Sequence, residues 1–140
     1  MADNIPPIPT KINLVVVTRE RKIVEEEVDE VELPASDGEI GILPGHTPLL
    51  ALLKVGQMRY RKGATVDRLV ISWGFAEVLP DRVIVLAERG FLPDEIDPAR
   101  AEEQRRQAER EMADLSSHDP EFAVVEGRLE ESIAMINIHR

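Results

Sequence analysis

The hydrophobic periodicity of the chain changes near residue 90, and this change limits the fold more than any other feature. Before residue 90, apolar residues recur at every second position in short runs that are separated by turn residues. After residue 90, they recur at the three- and four-residue spacing of amphipathic helices. All four lysines and seven of the eight glycines also lie in the first part. We therefore expect a β domain over residues 1–90 and a helical domain over residues 91–140.

The first part contains several candidate strands, which are short, β-branched or alternating: Lys11–Thr18, Val28–Leu33, Gly56–Arg61, Arg68–Leu79 and Arg82–Glu88. In the longest of them, Gly74 is expected to bend or bulge the strand. One face of that strand is expected to carry Leu69, Ile71, Trp73, Phe75 and Leu79. Short strands at this spacing, about ten in all, predict a β-sandwich or flattened barrel.

The second part predicts two helices. Asp97-Pro98 and Asp119-Pro120 each place a capping carboxylate directly before a proline in the first turn. The apolar stripes that follow are thin: Ala101, Ala108, Met112 and Leu115, then Phe122, Val125, Leu129, Ile133 and Ile136. Because only residues 116–119 separate the helices, they should fold back as an antiparallel hairpin. The predicted fold class is α+β, with a hairpin that must dock on another surface.

Composition excludes several classes of protein. The net charge of −10 and the pI of about 4.8 argue against a nucleic-acid partner. Cysteine is absent, which excludes a disulfide framework and a thiolate metal site. No apolar run approaches the roughly 20 residues that span a bilayer, and the start, MADNIPPIPT, lacks the order of a signal peptide. We expect a soluble cytosolic protein without direct membrane insertion.

The sequence carries no recognisable catalytic constellation. The three histidines, at positions 46, 118 and 139, do not pair at helical spacing, and no dinucleotide, P-loop or zinc-protease motif is present. The acidic run around Glu25–Glu27 has two interpretations, a cation site or a solvated strand edge, and the strand edge is favoured. We expect no catalytic residue and no metal site.

Residues 37–48, DGEIGILPGHTP, have the composition of a shaped loop. Asp37-Gly38 predicts a tight turn, Glu39–Leu43 a short strand, and Pro44-Gly45 a second turn that presents His46. A carboxylate and an imidazole on two adjacent turns are typical of a contact surface. The stretch is therefore interpreted as a partner-binding loop.

Three segments carry a resemblance to a known family: LPASDGEIGILPGHTPLLALLKVG, ISWGFAEVLPDRVIVLAE and EIDPARAEEQ. Together they closely resemble the epsilon subunit of the bacterial F-type ATP synthase, from about residue 11 to the C-terminus. A β-sandwich followed by a two-helix hairpin is also that family's architecture. The resemblance agrees with the domain organisation that the periodicity predicts.

The resemblance implies a non-catalytic rotor subunit in the central stalk of a machine that makes ATP from ADP and phosphate with a proton gradient. In the family the sandwich packs against the gamma subunit, and its lower loops lie on the ring of c subunits. Carried over, Glu39 and His46 fall in the loops that face the ring. The location implied is peripheral, on the cytoplasmic side of the bacterial inner membrane.

The hairpin is the family's regulatory element, which folds on the sandwich or extends along gamma toward the alpha and beta subunits. Some members bind ATP through an Ile/Leu-Asp-x-x-Arg-Ala motif, which this chain matches at Ile96, Asp97, Arg100 and Ala101. The departures from ATP-binding members are Phe91, Gln107, Glu131 and Met135. We therefore hypothesise that regulatory ATP binding is weak or absent and that no cofactor is resident.

Two features of charge bear on inhibition of ATP hydrolysis. Residues 121–140 carry four acidic and two basic groups, and the arginines of the first helix alternate with glutamates. Both features predict a milder electrostatic contact with beta than in relatives with a basic hairpin. The alternatives to a rotor subunit are a nucleotide-sensing module that uses the motif and a free-standing enzyme, which the missing residue constellations disfavour.

Overall fold

A computed structural model describes residue 5 and residues 7–139. Its strands, in chain order, are β1 (Ile12–Val17), β2 (Lys22–Val28), β3 (Glu30–Ala35), β4 (Gly38–Ile42), β5 (Leu49–Leu53), β6 (Gly56–Lys62), β7 (Thr65–Leu79) and β8 (Arg82–Phe91). A 3₁₀ turn at Pro93–Glu95 leads to α1 (Pro98–Ala113) and α2 (Pro120–Asn137). The predicted α+β fold is confirmed, with eight strands in the described residues where about ten were expected.

The strands form a β-sandwich whose two layers share one long strand, β7. Their order is β2-β1-β8-β7-β5-β3-β4, and β6 joins β3 to β7. β7 pairs with β6 through its first half and with β5 through its second half, so it belongs to both layers. β1 and β8 are parallel, and the other pairs are antiparallel. Alternate side chains fill the space between the layers, including the fully buried Ile12, Leu14, Leu33, Ile42, Met58, Leu69 and Ile71.

The prediction that Leu69, Ile71, Trp73, Phe75 and Leu79 share one face of β7 is wrong. Leu69 and Ile71 lie in the core, but Trp73 and Phe75 are exposed, and Ala76 and Val78 take the inward positions. The predicted bend at Gly74 is confirmed, since Trp73 has φ 53° and Gly74 has φ 146°. Two consecutive residues in these conformations reverse which face of the strand points inward, so the alternation changes phase.

The segment Val28–Leu33 also differs from the prediction. It holds the end of β2 and the start of β3, which meet at Asp29. Asp29 fixes this corner by pairing with Lys11 and by accepting a 2.7 Å hydrogen bond from the Gly63 N–H. A corner explains why the alternation there is imperfect. β2, with its acidic run, lies at one end of the strand order, as the strand-edge interpretation requires.

Both predicted helix starts are confirmed. The Asp97 carboxylate accepts a 2.9 Å hydrogen bond from Ala99 N–H, and Asp119 accepts one of 2.9 Å from Glu121 N–H. The helices contact each other, with Arg128 Nη2 of α2 2.6 Å from Glu111 Oε2 of α1. Because only six residues separate their ends, this contact makes them a hairpin.

The hairpin docks on the outer side of β7 and the end of β8. Its contact forms a small apolar cluster of Val70, Ile96, Ala101, Met135 and Ile138, with Phe91 packed against it. The predicted α2 stripe is only partly right, because Val125 is buried while Ile133 is exposed. The helix buries a different set on its docking side, which is Gly127, Glu131, Ser132 and Met135. In the described part of the chain, neither helix has the length and apolar character needed to cross a membrane.

Candidate functional site

The loop that follows β4 is held in a defined shape. Residues 43–46 form the turn that Pro44-Gly45 predicts, closed by His46 N–H donating to Leu43 O at 3.2 Å. Gly45 has φ 86°, which favours glycine, and its N–H donates to Pro80 O at 2.7 Å. This last bond ties the loop to the turn between β7 and β8. The loop therefore presents its side chains from a fixed backbone.

The structure does not bring the two candidate partner-binding residues together. Glu39 lies near the start of β4, where its carboxylate is exposed and 3.9 Å from Arg59 Nη2. His46 follows the other end of the strand, partly buried, with Nδ1 2.7 Å from Thr47 O. β4 separates them, so they mark two places on one surface strand and its loop.

An exposed apolar row, which was not predicted from the sequence, crosses three adjacent strands. Leu52 of β5 lies opposite Phe75 of β7, which lies opposite Leu86 of β8. Cross-strand partners share a face of the sheet, and these side chains are 67%, 42% and 39% exposed. Leu50, two residues along β5, is 68% exposed. We call Leu52, Phe75 and Leu86 the apolar row. The signal for it was the segment LLALL, which is apolar on both faces and was not predicted as a strand.

The residues of the candidate ATP motif meet at a pocket of about 240 Å³ between the sandwich and the hairpin. We call it the hairpin pocket. Its lining residues are Arg89, Phe91, Glu95, Ile96, Asp97, Arg100, Ala101, Gln104 and Met135. Ile96 and Ala101 are buried and form part of the apolar contact. Arg100 is exposed, and Asp97 uses its carboxylate to cap α1. The motif is therefore assembled in space, with Ile96, Asp97 and Ala101 also serving the fold.

Two of the four departures from ATP-binding relatives, Phe91 and Met135, also line the hairpin pocket. A third, Glu131, lies beside it with 3% of the residue exposed. Its Oε1 is 3.3 Å from Arg89 Nη1 and 3.5 Å from Gln104 Nε2. The Arg89 guanidinium also lies 5.0 Å from the Phe91 ring centroid. Gln107 is exposed on α1 and is not among the lining residues. The buried Glu131 carboxylate thus pairs with Arg89, while Gln104 Nε2 lies within reach of it and also donates to Arg128 O at 3.2 Å.

The acidic residue at the rim of the pocket is also engaged. Glu95 accepts hydrogen bonds from Arg21 Nη2 at 2.7 Å and from Leu92 N–H at 2.8 Å. The hydrogen bond from Arg21 is the main cause that lowers the pKa of Glu95, and the bond from Leu92 adds to it. Glu95 therefore stays charged at neutral pH as the partner of Arg21. Among the described residues, no group of three or more acidic, histidine or cysteine side chains could hold a metal ion.

Comparison with known proteins agrees with this architecture. The family model described as "ATP synthase, Delta/Epsilon chain, beta-sandwich domain" matches residues 11–92. ATP synthase epsilon chain 2 of Syntrophotalea carbinolica is 41% identical over 128 residues, which cover 91% of this chain and 93% of that protein. The epsilon chain of Herpetosiphon aurantiacus is 48% identical over 106 residues, which cover 76% and 78%.

One solved structure shows the same fold over nearly the whole chain. It is a chain in the cryo-EM structure of the OSCP/F1/c-ring part of the Euglena gracilis mitochondrial ATP synthase. The TM-score is 0.82 at 24% identity, covering 96% of this chain and 85% of that one. The matched family model spans more than half of the chain, and the relatives extend the likeness through the hairpin. This chain is a member of the ATP synthase delta/epsilon family, as an epsilon chain.

Proposed function

We propose that this chain is a non-catalytic rotor subunit that couples the gamma subunit to the c ring of a bacterial F-type ATP synthase. The complex makes ATP from ADP and phosphate with a transmembrane proton gradient. The chain lies at the periphery of the inner membrane, on the cytoplasmic side. The observation that carries the proposal is the apolar row, which stays exposed on the sandwich while the hairpin is docked.

The apolar row is the proposed gamma contact. Three large apolar side chains aligned across neighbouring strands form a patch that a partner can cover. Burying one such side chain contributes about 1.5–3 kcal/mol. Because the three strands are paired with one another, the patch keeps its shape when the partner turns. A rigid apolar patch of this kind supports transmission of torque by shape.

A charge placed in the apolar row should weaken gamma binding. We expect Leu52→Glu to reduce the affinity for purified gamma by about 30-fold, since it removes apolar contact and buries a charge. The matched control is Val66→Glu on β7, at a side chain that is 49% exposed outside the row. Isothermal titration calorimetry measures both. Equal affinities of the two variants would contradict the proposed contact.

Glu39 and His46 are the proposed contacts with the polar loops of the c ring. Their support is the exposure of Glu39 and the fixed backbone at His46. Glu39 also borders a groove that Glu130 and Asn137 of the docked α2 line. We expect Glu39→Gln to lower proton-driven ATP synthesis in reconstituted membranes while gamma binding stays unchanged. Asp37→Asn, in the neighbouring turn, is the control. A loss of gamma binding in Glu39→Gln would refute this assignment.

Nucleotide sensing is the second candidate, and the observation in its favour is the pocket that the motif residues line. The charges around it disfavour a polyphosphate, because the Glu131 carboxylate already pairs with Arg89 and would repel a phosphate there. Arg100 is then the lining arginine that can meet a phosphate. Each lost charge-assisted contact costs about 1.5–3 kcal/mol, so we expect weak or absent ATP binding. Titration of the purified chain with ATP tests this, and micromolar affinity would contradict it.

The hairpin is proposed to restrain ATP hydrolysis mildly when it extends toward alpha and beta. Arg105 pairs with Glu102 and with Glu109, the latter at 2.6 Å, and Arg128 pairs with Glu111. Arginines that are already paired within the hairpin offer little charge to an acidic surface. Removing the hairpin should therefore raise the hydrolysis rate of the complex only about twofold. A tenfold rise would contradict the mild restraint.

A further inference from the structure

We infer that Glu131 is a buried latch that holds the hairpin on the sandwich, so that the docked state is maintained by the chain's own carboxylate. The inference goes beyond the proposed rotor function and concerns the chain without partners. The latch consists of four side chains on four elements: Glu131 on α2, Ser72 on β7, Arg89 on β8 and Gln104 on α1.

The contacts of the carboxylate link α2 to two strands of the sandwich and to α1. Ser72 Oγ donates to Glu131 Oε2 at 2.5 Å, and both residues are at most 3% exposed. The other oxygen, Oε1, faces Arg89 Nη1 at 3.3 Å and Gln104 Nε2 at 3.5 Å. One carboxylate is thus shared between two strands of the sandwich and the other helix. When the hairpin leaves the sandwich, the contacts with Ser72 and Arg89 are lost together.

Burial makes this group different from the other ion pairs in the described part of the chain. The Glu131 side chain is 4% exposed in its pair, whereas both side chains of Arg128–Glu111 are more than a third exposed. A buried charge is tolerated only when its partners are present, and removing one partner is strongly unfavourable. Exposed pairs contribute little. We therefore expect the latch to contribute more to the position of α2 than the Arg128–Glu111 pair does.

The close packing of α2 on the sheet at Gly127 agrees with the docked position that the latch holds. Gly127, one turn before Glu131, lies over the Trp73 indole, and a Cβ added there would be 3.4 Å from Trp73 Nε1. Trp73 is the single tryptophan of the chain and is partly exposed beside α2. Its emission therefore reports whether the helix is docked.

The latch also pairs one of the two arginines that line the hairpin pocket, Arg89, without a ligand. Arg89 and Gln104 line the pocket and face a carboxylate that belongs to α2. An added anion would compete with Glu131 for the same donors. The docked state consequently needs no bound ligand to neutralise Arg89.

The test uses the full-length chain and two readouts, Trp73 emission and hydrogen exchange of the α2 amides. Arg89→Gln leaves the buried carboxylate without its cation and should raise the opening equilibrium of the hairpin about tenfold. Ser72→Ala removes the donor to the other oxygen and should act in the same direction. The double variant Arg89→Gln/Glu131→Gln removes both charges and should return the opening equilibrium to within about threefold of the parent.

Glu111→Gln, which removes the exposed interhelical pair, is the matched control and should leave both readouts unchanged. The latch is overturned if Arg89→Gln and Ser72→Ala leave both readouts unchanged, or if the double variant opens as far as Arg89→Gln alone. Because gamma is absent from this experiment, failure of the latch is distinguishable from failure of the rotor function. Failure of the rotor function would appear in gamma binding instead.

Discussion

At Gly74 one backbone conformation decides which residues of β7 point inward. Its φ of 146° is accessible to glycine, and a Cβ at this position would lie 2.0 Å from Leu86 O. Trp73, with φ 53°, completes the reversal. Phe75 is exposed as a result, and Ala76 is buried in its place. The apolar row therefore depends on this one site.

Gly74→Ala should lower the free energy of unfolding by about 3 kcal/mol, because a Cβ collides with backbone on the neighbouring strand. Gly41→Ala in β4 is the control, since a Cβ there meets no atom within 4 Å. Urea denaturation measures both. Equal stability of the two variants would show that β7 can adopt another path at this position.

Tyr60 gives the sandwich a pH dependence in the alkaline range. Burial is the main cause that raises its pKa to about 12, and the charges of Glu26 and Asp67 add to it. The pKa in the unfolded chain is about 10. Below pH 10 both states hold a neutral tyrosine, and between about pH 10 and 12 only the unfolded state ionises. The free energy of unfolding should therefore fall by about 2 kcal/mol across this window.

The comparison of parent and Tyr60→Phe isolates this effect, since phenylalanine does not ionise. We expect the stability difference between the two to be constant below pH 10 and to shift in favour of Tyr60→Phe above it. Tyr60 is the single tyrosine, so ultraviolet absorbance of tyrosinate follows its titration directly. A titration midpoint near pH 10 in the folded chain would contradict the buried environment.

At the scale of elements, the docking of α2 depends on a helix position without a side chain. Gly127 is buried and faces the Trp73 ring, so the helix can approach the sheet closely. The distance of 3.4 Å from an added Cβ to Trp73 Nε1 is an ordinary van der Waals contact. A methyl group fits there, and a larger side chain does not.

Gly127→Ala should keep the hairpin docked and stabilise α2 by about 0.5–1 kcal/mol, since alanine favours helix. Gly127→Leu should lift α2 from Trp73 and shift the tryptophan emission toward the red. Thermal unfolding and fluorescence measure the two effects. If Gly127→Leu left the emission unchanged, α2 would not rest on the indole as described.

At the scale of the whole molecule, the β-sandwich holds the hairpin through a small interface. The core of the sandwich is built from its own strands. The hairpin docks through the cluster on Val70, the latch on Ser72 and Arg89, and a hydrogen bond from Gln57 Nε2 to Ala134 O. Gly127 also packs against Trp73. The apolar row lies outside this interface and remains exposed. Partner binding by the sandwich and docking of the hairpin should therefore be separable.

A chain that ends after Leu92 should bind gamma within about twofold of the parent affinity, because distant sites act independently. The free energy of unfolding of its sandwich should fall by about 2 kcal/mol, since Val70 becomes exposed to solvent when the hairpin is removed. Ending the chain at Leu92 retains β8, which pairs Phe91 with Val70. Calorimetric titration with gamma gives the affinity, and a loss of binding would place the hairpin in the gamma contact.

The sequence by itself determined the order of the elements and the places where they begin. Alternation predicted most of the strands, and the two Asp-Pro pairs predicted the helix starts, because these signals act between residues close in the chain. The turn at Pro44-Gly45 and the bend at Gly74 were predictable for the same reason. Glycine and proline limit the backbone wherever they stand.

Only the tertiary structure decided which face of each strand and helix is buried, and which neighbouring element that face contacts. The segment LLALL contributes Leu52 to the apolar row. Leu52 is exposed on β5 and lies opposite Phe75 of β7, which in turn lies opposite Leu86 of β8. The sequence marks Glu131 only as a departure from ATP-binding relatives. In the structure it is buried, because it contacts Arg89 and Ser72. Ser72 lies 59 residues away in the chain. Such pairings depend on strand register and docking, which local periodicity does not encode. Contacts over long separations are fixed only when the whole chain has folded.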